Sequence, residues 1–175
     1  MSVGKRYALD ANVLIQAHRQ YYALDICPGF WTALLRRNRN DRVVSIDRIR
    51  KELARTGDES STWVKDTAPA AFFKKTSDQA IIQGYHEIMN WVNAQDQYDM
   101  PARVQFARGA DAWLIAFGRF TGDVIVTHEV FAPDVKRKVP IPNVCVEFGA
   151  AYCNTFEMIR AVEEQFVLKT RRKRR

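Results

Sequence analysis

The chain has 175 residues, 47% of them hydrophobic, which is enough for one domain with a substantial core and short for two. Lys and Arg number 27 against 20 Asp and Glu, a net charge of +7, and Lys169, Arg171, Arg172, Lys173, Arg174 and Arg175 hold six of those positive charges at the end, so the body is close to neutral. The start has no secretory-signal pattern, no apolar run approaches the ~20 residues that span a bilayer, and three cysteines without paired spacing indicate neither a disulfide framework nor a thiolate zinc site, so a soluble cytoplasmic protein is expected.

Tyr7-Ala8-Leu9 reads as a strand, and Val13, Leu14, Ala17 and Tyr21 follow at helical spacing, which puts Asp10 at a strand-to-helix junction. Asp10 and Asn12 both suit helix capping, and in open α/β sheets the same junction is where ligands bind. Phe30, Trp31, Leu34 and Leu35 mark a second helix after Cys27-Pro28-Gly29, and Arg36, Arg37 and Arg39 suit its C-terminus. Residues 42–46 form a β-branched run of strand length. Asp47 is the expected N-cap of the next helix, with Ile49 and Leu53 inward and Glu52 at the border of that apolar stripe.

The segment 57–100 reads as a helical insertion. It is irregular to about residue 71, then holds a helix opened by Thr76 and Gln79 as a capping box, with Ile81, Ile82, Tyr85, Ile88, Met89 and Val92 as its apolar stripe. Residues 93–101 break the pattern. Asp111 opens another helix, and Leu114, Ile115 and Gly118 place a carboxylate at the head of its buried stripe, an expensive position for an unpaired charge. Val124-Ile125-Val126-Thr127 is a third strand ending at His128-Glu129, and Asn143-Val144-Cys145-Val146 a fourth. Asn154 with Glu157 caps a last helix whose expected core residues are Phe156, Ile159, Val162 and Phe166. The alternation predicts a mainly parallel sheet covered on both faces, in one domain over 1–168, followed by a solvated basic tail at 169–175.

Asp10 and Glu129 at strand ends, Glu52 on a helix and Asp111 in a helix first turn can meet at one edge of such a sheet. Four carboxylates so gathered repel one another and need protons or a cation, and an all-oxygen donor set favours magnesium or manganese. The blocks that hold them, Leu9-Asp10-Ala11-Asn12-Val13-Leu14, Glu52-Leu53, Ala110-Asp111-Ala112-Trp113-Leu114-Ile115-Ala116 and Val126-Thr127-His128-Glu129, resemble in content and order those of the PIN-domain ribonucleases, which include VapC-type toxins.

The resemblance implies a three-layer α/β/α PIN-like fold and a divalent-metal-dependent endoribonuclease. Asp10, Glu52 and Asp111 would be its central metal-binding acids, with Glu129 at a fourth acidic position that is usually Asp; Asp123 is a rival for that position. It also implies support of the cluster by Asn12 and Thr127, an RNA substrate, an antitoxin partner and a homodimer. Arg103, Arg108, Arg119, Lys136, Arg137 and Lys138 are candidate contacts for the RNA backbone. The segment 57–101 and the extension 141–166 depart from the short toxins. Two other readings share these residues: a non-catalytic RNA- or partner-binding module, and a structure-specific DNA nuclease.

Overall fold

Five short strands make the centre of the molecule: Tyr7–Leu9 (β1), Val43–Ile46 (β2), Phe73–Lys74 (β3), Val124–Val126 (β4) and Tyr152–Cys153 (β5). They lie in the order β3-β2-β1-β4-β5 with every neighbouring pair parallel. The computed structural model describes residues 4–166, so the basic tail expected at 169–175 lies outside the described residues. β1, β2 and β4 are buried at every position, which is why their sequences are continuous apolar runs with little alternation.

The connections carry helices α1 (Ala11–Gln16), α2 (Pro28–Arg39), α3 (Asp47–Leu53), α4 (Glu59–Thr62), α5 (Gln79–Ala94), α6 (Met100–Arg108), α7 (Asp111–Thr121) and α8 (Ile141–Phe148), and α9 (Thr155–Ala161) follows β5. From β1 the chain steps to β2 and β3, then crosses back to β4 and β5. Parallel crossovers are right-handed, so the two directions of travel put their helices on opposite faces. α2 packs on β2, while α5 and α7 pack together and α7 lies on β4, giving three layers, α/β/α. Gly118 permits the close approach of α7, since a Cβ there would sit 2.8 Å from Ile125 Cγ1.

Several local expectations are corrected. Asn143-Val144-Cys145-Val146 is not a strand but the middle of α8. Pro142 in the first turn and Gly149 in the left-handed conformation at its end (φ 66°) are helix start and stop signals that outweigh two valines. The outer strands β3 and β5 have two residues each, too few to show a period. β3 lies within the segment 57–100, which therefore contributes a sheet edge as well as helices. The break expected at 93–101 extends only to Asp99, which caps α6 by accepting the Ala102 N–H.

Thr76 does not cap α5. That role falls to Asp78, while the Thr76 hydroxyl donates to Asp47. The capping box of Asn154 and Glu157 is present on α9, but Phe156 and Phe166 are exposed and Met158 fills the core beside Val162. No helix among the described residues is long and apolar enough to cross a membrane.

β1 has neighbours reached in opposite directions, β2 on one side and β4 on the other, so the connections leaving β1 and β4 diverge. That opens a crevice at the carboxyl ends of these strands. At the opposite ends, Arg6 Nε donates to both oxygens of Asp123 at 2.9 and 3.0 Å. Asp123 is thus a buried structural partner at the far edge of the sheet, away from the crevice.

Candidate active site

Asp10 is the first residue after β1. Its backbone is extended and occupies the N-cap place of α1, yet its side chain makes no capping hydrogen bond. The capping explanation for this residue therefore fails. Its carboxylate is 1% exposed, and Oδ2 accepts from the Thr127 hydroxyl at 3.2 Å. Thr127 follows β4, so backbone pairing of β1 with β4 sets the two side chains against each other.

Asp10, Asn12, Glu52, Asp111 and Glu129 line one cleft of about 720 Å³ at the crevice. Asn12 comes from the first turn of α1, Glu52 from the last turn of α3, Asp111 from the first turn of α7, and Glu129 from the chain just beyond β4. Of the expected supporting pair, Thr127 bonds directly to Asp10 and Asn12 stands on the cleft wall. Glu52 is exposed at the mouth, and Asp111 is partly buried.

The electrostatics of this cleft are those of acids that feel one another. Burial, with the charges of Glu129 and Glu52, pushes the Asp10 carboxyl up to about 7 against the Thr127 hydrogen bond. Burial and the charges of Asp10, Glu129 and Glu52 hold Asp111 well above the usual carboxylate range, and Lys138 opposes them. Desolvation raises Glu52 as well. Glu129 is already engaged: Oε1 pairs with the Lys138 ammonium, and Oε2 accepts the Ile141 N–H at 2.8 Å at the start of α8.

Among the described residues, no three His, Cys, Asp or Glu side chains are closed around a common point as a finished metal site. The donor set nevertheless fits a hard divalent cation. It is all oxygen, the charges of neighbouring acids help raise Asp10 and Asp111, and a positive charge, Lys138, has settled among them.

Five cations stand around these acids: Arg48, Lys51, Arg55, Arg108 and Lys138. Lys138 apart, none of them is ion-paired among the described residues. Of the six expected backbone contacts, only Arg108 and Lys138 are here. Arg119 pairs with Glu87 in another groove, and Arg103 donates to the Asn93 carbonyl. Lys136 and Arg137 are exposed on the loop before α8, outside the cleft lining. Arg48, Lys51 and Arg55 were not anticipated. Their signal was present, because 48, 51, 52 and 55 share one helical face that borders the stripe of Ile49 and Leu53.

No curated protein and no solved structure matches the chain. One family model does, that of the domain of unknown function DUF4411, over residues 7–166, a span that contains the whole sheet and every acid of the cleft. The chain belongs to the DUF4411 family.

Proposed function

We propose that the chain is a divalent-metal-dependent endoribonuclease of PIN-like architecture, cutting RNA phosphodiester bonds. The observation that supports this most is the meeting of Asp10, Glu52, Asp111 and Glu129 in one cleft at the switch point of a parallel sheet, ringed by cations. Asp10, Glu52 and Asp111 would hold magnesium or manganese, with Glu129 as the fourth acid. When bound, the cation supplies charge neutralisation at the scissile phosphate and lowers the pKa of a water. Thr127 fixes the Asp10 carboxylate. Lys51, Arg55 and Arg108 offset the charge of an approaching nucleic-acid backbone, which four carboxylates alone would repel.

The role as toxin of a toxin–antitoxin pair, with an antitoxin protein as partner and a homodimer as assembly, follows from the resemblance to PIN-domain ribonucleases. A second reading, a non-catalytic RNA-binding module, draws on Glu129, whose two oxygens are both engaged within the protein.

The deciding experiment is incubation of purified protein with mixed structured and single-stranded RNA in manganese, magnesium or chelator, beside Asp10→Asn prepared identically. Metal-dependent cutting lost in the variant supports the nuclease. RNA bound but intact under all conditions favours the binding module, and preference for branched DNA favours a structure-specific DNA nuclease.

A further inference from the structure

Beside the acids stands a three-member stack that the nuclease chemistry does not require. The Arg48 guanidinium lies over the Trp113 ring, its central carbon 3.6 Å from the ring centroid. Trp113 in turn stacks on Tyr85 with centroids 3.9 Å apart and planes 13° from parallel. Arg48 Nε donates to the Thr76 hydroxyl at 3.2 Å, and that hydroxyl donates to Asp47 at 2.8 Å. Thr76 is 1% exposed, so the anchor is internal while Arg48 is exposed and lines the cleft. A long flexible cation is here held over an aromatic ring, with a buried hydroxyl at its edge.

Fixing an exposed arginine in this way costs side-chain entropy that a mere solubilising charge has no reason to lose. A planar guanidinium so held is a surface for another planar group. Two of the three helices that build the stack, α3 and α7, also carry acids of the cleft. Arg48 and Glu52 are one turn apart on α3, about 6 Å along its axis, and Asp111 and Trp113 are two residues apart on α7. That separation is comparable with the span of one nucleotide.

We infer that Arg48, held on the Trp113–Tyr85 stack, is a stacking post for one base of a single-stranded RNA whose neighbouring phosphate lies over the acids. The inference rests on the nuclease reading for the identity of the ligand and adds how the strand is gripped. Arginine planes and aromatic rings take bases of any sequence, so the post selects unpaired strands over duplexes and not one base over another.

The test is fluorescence anisotropy with a short labelled single-stranded RNA and its abasic counterpart, in chelator and low salt, using the wild type, Arg48→Lys and Arg55→Ala. Lysine keeps the charge and loses the plane. Arg48→Lys is expected to weaken the base-bearing RNA on the order of tenfold while leaving the abasic strand within about twofold. Arg55→Ala should weaken both alike. Equal effects of Arg48→Lys on the two strands, or none on either, overturn the stacking post while leaving RNA binding in place. Failure of the wild type to bind either strand overturns the post, while the cleavage experiment with metal decides the nuclease reading separately.

Discussion

The Thr127 hydroxyl donates to Asp10 Oδ2 at 3.2 Å, joining the ends of β4 and β1 across 117 positions of sequence. Thr127 Oγ1 also accepts the Glu129 N–H at 3.2 Å, so one small side chain positions a buried acid and the backbone that carries another. Thr127→Val keeps the volume and branching and removes both bonds. It is expected to cost on the order of 1–2 kcal/mol of unfolding free energy in urea titration and to lower metal-dependent RNA cleavage. Unchanged stability and turnover would mean that the hydroxyl is idle.

Asp10 gives a pH dependence with a definite sign. Its carboxyl is raised to about 7 by burial and by the charges of Glu129 and Glu52, whereas in the unfolded chain it titrates near the usual carboxylate value, about 4. Between those values the folded protein keeps a proton that the unfolded chain has released. The stabilisation is therefore full below about pH 4 and is lost as pH rises through about 7. In chelator, Asp10→Asn should melt above the wild type at pH 8, by on the order of 2 kcal/mol, with the difference shrinking toward pH 4. A variant that melts lower at pH 8 would show that the carboxylate is not strained in the fold.

Manganese or magnesium should raise the melting temperature of the wild type at neutral pH and have little effect on Asp10→Asn or Asp111→Asn. A metal bound only by the folded state stabilises it by about 2.7 kcal/mol at roughly a hundredfold excess over its Kd. Equal shifts in all three proteins would place the metal elsewhere.

Lys138 competes with any cation for Glu129, because the ammonium already pairs with Oε1. Lys138→Ala should therefore move the metal midpoint of the thermal shift to lower concentration, by roughly a few-fold. A midpoint that moves upward would make Lys138 a support of the acids instead of a competitor.

Away from the cleft, Gly118→Ala tests the seating of α7. Its new methyl would meet Ile125 Cγ1 at 2.8 Å and the Asp123 carbonyl oxygen at 3.3 Å, and since the latter is backbone, relief requires moving the helix. The expected cost is about 1–3 kcal/mol by urea titration. A neutral substitution would show that the α7–β4 spacing is slack.

The parts of the fold legible in the sequence were those with long signals. β1, β2 and β4 are apolar runs, α2 and α5 have clear stripes, and the order of these elements implied the layers. What was missed had either too few residues or conflicting ones. β3 and β5 have two residues each, and α8 combines a strand-like Val-Cys-Val with helix-starting Pro142 and helix-ending Gly149. The four acids could be named from their junctions, and Asp123 could be ranked below Glu129 because it precedes its strand. Their meeting depended on the strand order, which spacing does not reveal. The basic residues were harder, because a charge on an exposed helix face looks the same whether it faces a cleft or open solvent. Only the placement of α3 beside Asp10 distinguishes Arg48, Lys51 and Arg55 from Lys136 and Arg137.

The two outermost strands have a bearing beyond the site. With two residues each, β3 and β5 expose too little unpaired backbone to template a strand from another molecule, so the sheet is blunted at both margins. A dimer of the kind the resemblance implies must then be built from helix surfaces. Its contacts would be side-chain matches, alterable one residue at a time without unravelling the sheet that holds the acids.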